Sequence, residues 1–268
     1  MPQSNHQLTK SPDDPIPGSL SGRSLLVTGA SSGIGRAIAL AAARAGADVA
    51  LTYRHNERGA HEVERGLRAL GRRAAVIRLD LSDGQSVADL GPAACAALGR
   101  IDAWVNNAGA DILTGPGASL SQVEKLDRLI SVDLRGTMLA SWQAAAILGA
   151  QETGGVIINM SWDHALSGME GVNPQMFAAV KGGILAFSKS LARSVGPRVR
   201  VNVIAPGWIE TSFAASMERG AHRAAAESSP LKRWGTPEDV AAAVIFLASP
   251  GASFLTGQTM LVGGGVVM

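Results

Sequence analysis

The apolar positions of this chain fall in short uninterrupted runs, not in alternation. Such runs cover 24–28, 48–53, 74–79, 103–106, 155–160, 199–204 and 259–262. Between them lie longer Ala-rich or charged stretches at 33–45, 56–70, 85–98, 120–148, 174–194 and 236–247, whose lengths and spacing predict helices. A strand apolar on both faces belongs in a parallel sheet that helices cover on both sides. Strand–helix alternation of this kind builds right-handed βαβ units. The predicted class is therefore α/β, a doubly wound (Rossmann) parallel sheet of about seven strands with helices on both faces. No repeat or linker interrupts the pattern, which predicts a single domain over 21–268. Residues 1–20 are polar and proline-rich and read as a flexible arm.

Composition narrows the function classes. Of the 268 residues, 46% are hydrophobic and 17% charged, enough apolar material for a large core. The formal net charge is only +2 and the arginines are spread along the chain, which argues against a nucleic-acid surface. No run approaches the roughly 20 apolar residues of a membrane span. The N-terminus has no apolar leader. The one cysteine, Cys95, sits in an Ala-rich helical stretch and reads as a small buried hydrophobe. It leaves no intrachain disulfide, which fits a reducing, cytoplasmic setting.

The first candidate for chemistry is Thr28-Gly29-Ala30-Ser31-Ser32-Gly33-Ile34-Gly35, which closes the first strand and opens the first helix. Glycines there let the backbone turn sharply and approach a pyrophosphate, whose charge the helix N-terminus stabilises. The second strand ends Leu51-Thr52-Tyr53-Arg54. An acidic residue at that point would hold the ribose 2′-hydroxyl of NAD(H), whereas a cation accommodates the 2′-phosphate of NADP(H). No carboxylate stands there and Arg54 does, so NADP(H) is expected ahead of NAD(H). The competing reading of Arg54 is a solvent-facing side chain.

Together with Asp80-Leu81, Asn106-Asn107-Ala108-Gly109, Pro206-Gly207-Trp208-Ile209-Glu210-Thr211 and Leu255-Thr256-Gly257-Gln258, this motif makes the chain resemble the short-chain dehydrogenase/reductase family. It resembles members of that family similar to 3-oxoacyl-carrier-protein reductases, and the resemblance runs over about residues 20–265. It implies cofactor contacts from Gly29, Ser31, Ser32, Gly33, Ile34 and Gly35 in the glycine loop, and from Tyr53, Arg54, Asp80 and Leu81 at the adenosine end. It further implies contacts from Asn107, Ala108, Gly109, Lys181, Pro206, Gly207, Ile209 and Thr211 toward the nicotinamide.

The resemblance breaks at the reaction centre. The family uses a Tyr to exchange a proton with the substrate oxygen, a Lys one turn later, a Ser that orients the carbonyl, and an Asn in a proton relay. Lys181 matches the Lys, but the Tyr position is Phe177, which has no proton to give. The one tyrosine, Tyr53, belongs at the adenosine end, so no tyrosine fills the role. Matching the fifth strand places Trp162 at the Ser position, with Ser161 beside it, and the Asn position is Asp133. Substitute proton donors are expected in Asp163 and His164, at the carboxyl end of the fifth strand. His164 is the better of the two, because an imidazole titrates near neutrality. Asp111 is a weaker choice, and Asp163 and His164 read equally well as ordinary polar loop residues.

The expected function is hydride transfer between a nicotinamide and a small carbonyl or alcohol substrate, with a non-standard proton donor. A catalytically silent NADP(H)-binding relative with a regulatory or scaffold role is the alternative, and lyase or isomerase chemistry on the same scaffold is a third. The stretch 211–229, with Phe213 and Met217, is expected to cover a partly apolar substrate. Relatives assemble through the two long helices, so a homo-tetramer or homo-dimer is expected, with no membrane, metal or nucleic-acid partner.

Overall fold

The computed structural model describes residues 19–268. Its frame is one seven-stranded parallel sheet in the order β3-β2-β1-β4-β5-β6-β7. The strands are β1 (Ser24–Val27), β2 (Asp48–Tyr53), β3 (Ala74–Arg78), β4 (Ala103–Asn106), β5 (Gly155–Met160), β6 (Val199–Pro206) and β7 (Thr259–Val262). β1 pairs β2 from Ser24 opposite Asp48, and β4 from Leu25 opposite Ala103. The strand order thus reverses beside β1, and a crevice opens at the carboxyl ends of β1 and β4, where doubly wound sheets hold ligands.

The helices are α1 (Gly33–Arg44), α2 (Glu57–Ala69), α3 (Gly84–Leu98), the short α4 (Gly115–Ala118), α5 (Gln122–Leu129), α6 (Thr137–Ala150), α7 (Val172–Val195), α8 (Ser212–Ser216), α9 (Arg219–Ser228) and α10 (Pro237–Ala248). Capping boxes start two of them, Ser121 with Glu124 at α5 and Thr236 with Asp239 at α10. Each satisfies backbone N–H groups that a helix start leaves without partners.

Burial explains why the strands are uninterrupted apolar runs. On one sheet face α1, α2 and α10 pack residues such as Ile38, Val63 and Val244 against Leu25, Val27 and Ile158. On the other, α3, α6 and α7 bring Leu90, Ala144 and Leu191 onto Leu26, Trp104 and Ile157. Two smaller clusters stand apart from these. One joins Ile112, Leu129, Met176 and Val180. The other joins Ala214, Ala225 and Trp234, with Trp208, Phe213 and Met217 against it.

Three details differ from the sequence expectation. The predicted helix over 120–148 is a composite: between α5 and α6 the residues Ile130–Gly136 form a π-helical stretch. Wide turns of this kind are rare and concentrate at functional sites. α7 begins at Val172, ahead of Pro174, after Gly171 at φ 115°. Finally, the expected arm lies outside the described residues except for Ser19 and Leu20. Leu20 is fully buried and its N–H donates to the Ala45 carbonyl, so it belongs to the fold and not to an arm.

Candidate active site

The glycine loop is built by close backbone approach. Gly29 sits at φ +66°, and a Cβ there would come within 2.8 Å of the Ala108 Cα. A Cβ on Gly35 would press on the Gly29 carbonyl and the Asn107 amide. The Asn107 side chain donates to the carbonyls of Thr28 (3.0 Å) and Gly29 (3.2 Å), and the Thr28 hydroxyl accepts from the N–H of Asn107 and Ala108. Asn107 therefore ties the end of β4 to the loop after β1. The first turn of α1 holds no acidic residue, and the Ser32 side chain caps none of it. Its N–H groups are thus left for an anion.

Beside this loop opens a cavity of about 400 Å³ walled by Gly29, Ser31, Ser32, Tyr53, Arg54, Asp80, Leu81, Asn107, Ala108 and Gly109. Arg54 is not solvated at random. Its Nε donates to Asp80 Oδ2 at 2.9 Å, and the two terminal guanidinium nitrogens make no further hydrogen bond among the described residues. Burial pushes the Asp80 carboxyl up, but bonds from Ser82 and the Arg54 charge outweigh it and hold the group below its usual range. His55, Asn56 and Arg128 are also in the wall. The donor set and the backbone cradle fit the adenosine and pyrophosphate of a dinucleotide.

A second cavity, of about 630 Å³, continues from the first past Asn107, Gly109 and Ala110. Ile34, Ser161, Phe177, Lys181, Pro206, Gly207, Ile209 and Thr211 line it, as do Trp162 and Asp133. Gly33 and Gly35 wall neither space; they shape the turn behind it. Lys181 Nζ forms an ion pair with Asp133 Oδ2 at 2.8 Å, and Asp133 Oδ1 accepts the Ala110 N–H at 2.7 Å. Asp133 is carried by the π-helical stretch and is 1% exposed. The Ser161 hydroxyl lines the cavity but donates to the Lys181 carbonyl at 3.0 Å, which commits its proton to the backbone. Phe177 meets Trp162 edge-on at 6.3 Å.

His164 and Asp163 are not in this wall. His164 stacks on Trp162 at 5.0 Å and meets Trp208 edge-on at 5.9 Å, so it touches both indoles. Its Nδ1 lies 2.7 Å from Asp163 Oδ1, which also accepts the His164 N–H. Asp163 is fully buried, and its Oδ2 has no hydrogen-bond partner among the described residues. A Cβ on Gly207 or on Gly263 would run into that oxygen. Burial pushes the Asp163 carboxyl up, against the pull of His164. Asp111 is no better placed as an acid. Burial raises it, but bonds from Thr114 and the Leu113 N–H prevail and hold the carboxyl below its usual range, capping the turn before α4.

Several members of the site gave little signal in sequence. Asp133 is recognisable by position, but nothing in its spacing says that it would pair with Lys181 across two helices. Asn173, Met160 and Trp234 enter the second cavity through tertiary packing alone. Trp208 was visible as part of the Pro206–Thr211 segment, though not as a wall residue.

The profile of a family described as enoyl-(acyl carrier protein) reductase matches residues 29–267. The chain is 35% identical over 252 residues to 3beta-hydroxysteroid dehydrogenase 1 of Eggerthella lenta, covering 93% of this chain and 95% of that one. It is 35% identical over 247 residues to a 3-oxoacyl-[acyl-carrier-protein] reductase of Synechocystis, covering 91% and 96%. A crystal structure of a short chain dehydrogenase from Burkholderia cenocepacia in complex with NADP superposes with a TM-score of 0.84 at 32% identity, covering 92% and 99%.

Proposed function

Because the chain belongs to the short-chain dehydrogenase/reductase family, we propose that it interconverts a small carbonyl compound and its alcohol with NADP(H), and that Lys181 performs the proton transfer for which Phe177 has no group. The observation that carries this reading is the Lys181–Asp133 pair on the wall of the second cavity, 2.8 Å apart. When bound, the dinucleotide supplies or accepts the hydride. During reduction the Lys181 ammonium donates a hydrogen bond to the substrate oxygen and passes it a proton as the alkoxide develops. Asp133 holds the ammonium in position through their ion pair, and the amine is reprotonated from water once product leaves. Trp162 and Phe177 present mainly ring surface and exclude water from the reacting oxygen, which strengthens the charge interaction there. His164, behind Trp162, braces that indole in this reading; acting as the donor would require Trp162 to swing aside.

Arg54 supports NADP(H) over NAD(H): Asp80 anchors its Nε, and the rest of its fork is available to a phosphate beside Ser31 and Asn56. The single sheet supports one dinucleotide-binding domain, and the half-exposed Trp142 of α6, edge-on to Phe187 of α7 at 5.8 Å, supports a homo-dimer or homo-tetramer built on those helices. No helix among the described residues is long and apolar enough to cross a membrane. With one cysteine in the whole sequence, we place the protein in the cytoplasm.

The test is NADPH oxidation with a panel of ketones and aldehydes, comparing wild type with Lys181→Met and His164→Ala, with cofactor affinity measured separately by NADPH fluorescence. Losing the positioned acid is expected to lower kcat by about 10²–10⁴ in Lys181→Met, and far less in His164→Ala. A His164→Ala loss as large as that of Lys181→Met would assign the proton to the histidine. Wild type that binds NADPH and reduces no member of the panel would refute the redox reading itself.

A further inference from the structure

We infer that the second cavity is built for a neutral, flat aromatic compound carrying the reacting carbonyl or hydroxyl, and not for an aliphatic one. The reacting group in this statement rests on the redox reading above; the aromatic part rests on the cavity wall. The chain holds five Trp, five Phe and one Tyr. Five of these rings, Trp162, Phe177, Trp208, Phe213 and Trp234, line this one space.

They come from the loop after β5, from α7 and from the segments after β6, so no single element's pattern explains their gathering. They also form a connected belt. Phe177 leads to Trp162 (6.3 Å), and His164 bridges Trp162 to Trp208 through contacts of 5.0 and 5.9 Å. Trp208 in turn meets Phe213 at 6.4 Å and Trp234 at 5.3 Å. The interplanar angles range from 14° at Phe213 to 63° at Phe177. A planar ring entering among them therefore finds both faces and edges, the two arrangements that aromatic pairs favour.

A wall meant only to be apolar needs no such set, since Leu, Ile and Val suffice and this chain has many. Two wall positions sharpen the point. Trp162 puts a ring where the family's Ser would stand, and Phe177 keeps the ring of the family's Tyr without its hydroxyl. The charge on the wall is balanced, because Lys181 and Asp133 neutralise one another, which selects a neutral ligand. Met160 and Met169 add polarizable sulfur that adapts to a ring edge.

Naphthaldehyde and its fully saturated counterpart, decalin carbaldehyde, separate aromatic recognition from plain burial. The saturated probe carries more hydrocarbon, so a merely greasy cavity would bind it at least as well. Calorimetric titration in saturating NADP⁺, where the aldehyde cannot be reduced, should show naphthaldehyde binding at least tenfold tighter. Trp208→Leu and Trp162→Leu should each cut that preference roughly three- to tenfold, the range of one lost aromatic pair. Equal affinity of the two probes in wild type, or a preference untouched by both substitutions, would overturn the inference. If a tryptophan variant fails to fold, Phe213→Leu at the rim and the wild-type ratio still decide it. Selective binding of naphthaldehyde by a wild type that turns over no carbonyl compound would refute the redox reading and leave this one standing; turnover of both aldehydes at equal KM would do the reverse.

Discussion

The consequences at single residues are clearest for Arg54 and Asp163. If the Arg54 fork takes the 2′-phosphate, Arg54→Ala removes a charge-assisted contact of about 1.5–3 kcal/mol. NADPH affinity should then fall roughly ten- to a hundredfold, with NADH affinity nearly unchanged, as read by fluorescence titration of both. Asp163 makes a prediction about pH. Burial raises its carboxyl, so the folded protein keeps the proton to higher pH than the unfolded chain does. Its contribution to stability is therefore fully present below the unfolded carboxyl's value of about 4, and is lost as pH rises through the raised folded value. Asp163→Asn should flatten that decline in thermal melts as pH rises above about 4; an unchanged slope would clear Asp163 of responsibility. Both residues were visible in sequence as candidates, but their surroundings were not. That Arg54 leans on Asp80, or that Asp163 turns its free oxygen toward Gly207 and Gly263, depends on chain segments brought together only by the folded sheet.

Secondary elements were far more legible, because burial on both sheet faces writes itself as continuous apolar runs. β2, β4, β5 and β7 span the residues their patterns predict, Asp48–Tyr53, Ala103–Asn106, Gly155–Met160 and Thr259–Val262. The composite helix was not legible, since a π-helical stretch and an α-helix draw on the same residue types. That stretch matters, because it carries Asp133 to Lys181. Behind it, Asn106, Ser141, Asn159 and Ser188 form a buried hydrogen-bonded set joining β4, β5, α6 and α7. Each member finds a partner, so the set fixes how the long helices sit on the sheet without leaving a polar atom stranded. The outer face of those helices is where assembly would occur. Trp142 is 49% exposed there, and Trp142→Arg places a charge at the centre of the proposed contact. Light scattering should show the variant shifted toward monomer at concentrations where wild type is assembled. A monomeric wild type would refute the assembly.

At the scale of the whole molecule, the two large clusters lie on opposite faces of one sheet and share its strands, so they are expected to unfold together. The roof of the second cavity does not belong to either. Its own cluster has three buried members, Ala214, Ala225 and Trp234, held to the body by a few bonds such as Gly235 N–H to the Trp208 carbonyl and Ser229 Oγ to the Gly264 carbonyl. So small an apolar anchor gives the segment an opening free energy well below that of the sheet. Amide exchange with deuterium should be fast across 212–228 and slow in β4, β5 and β6, and a bound dead-end ligand should slow the former alone. Uniform exchange across roof and sheet would show one cooperative unit. If the roof does open on its own, its opening rate is a ceiling on how fast product can leave, and turnover would be timed by a loosely tethered flap and not by the proton or the hydride.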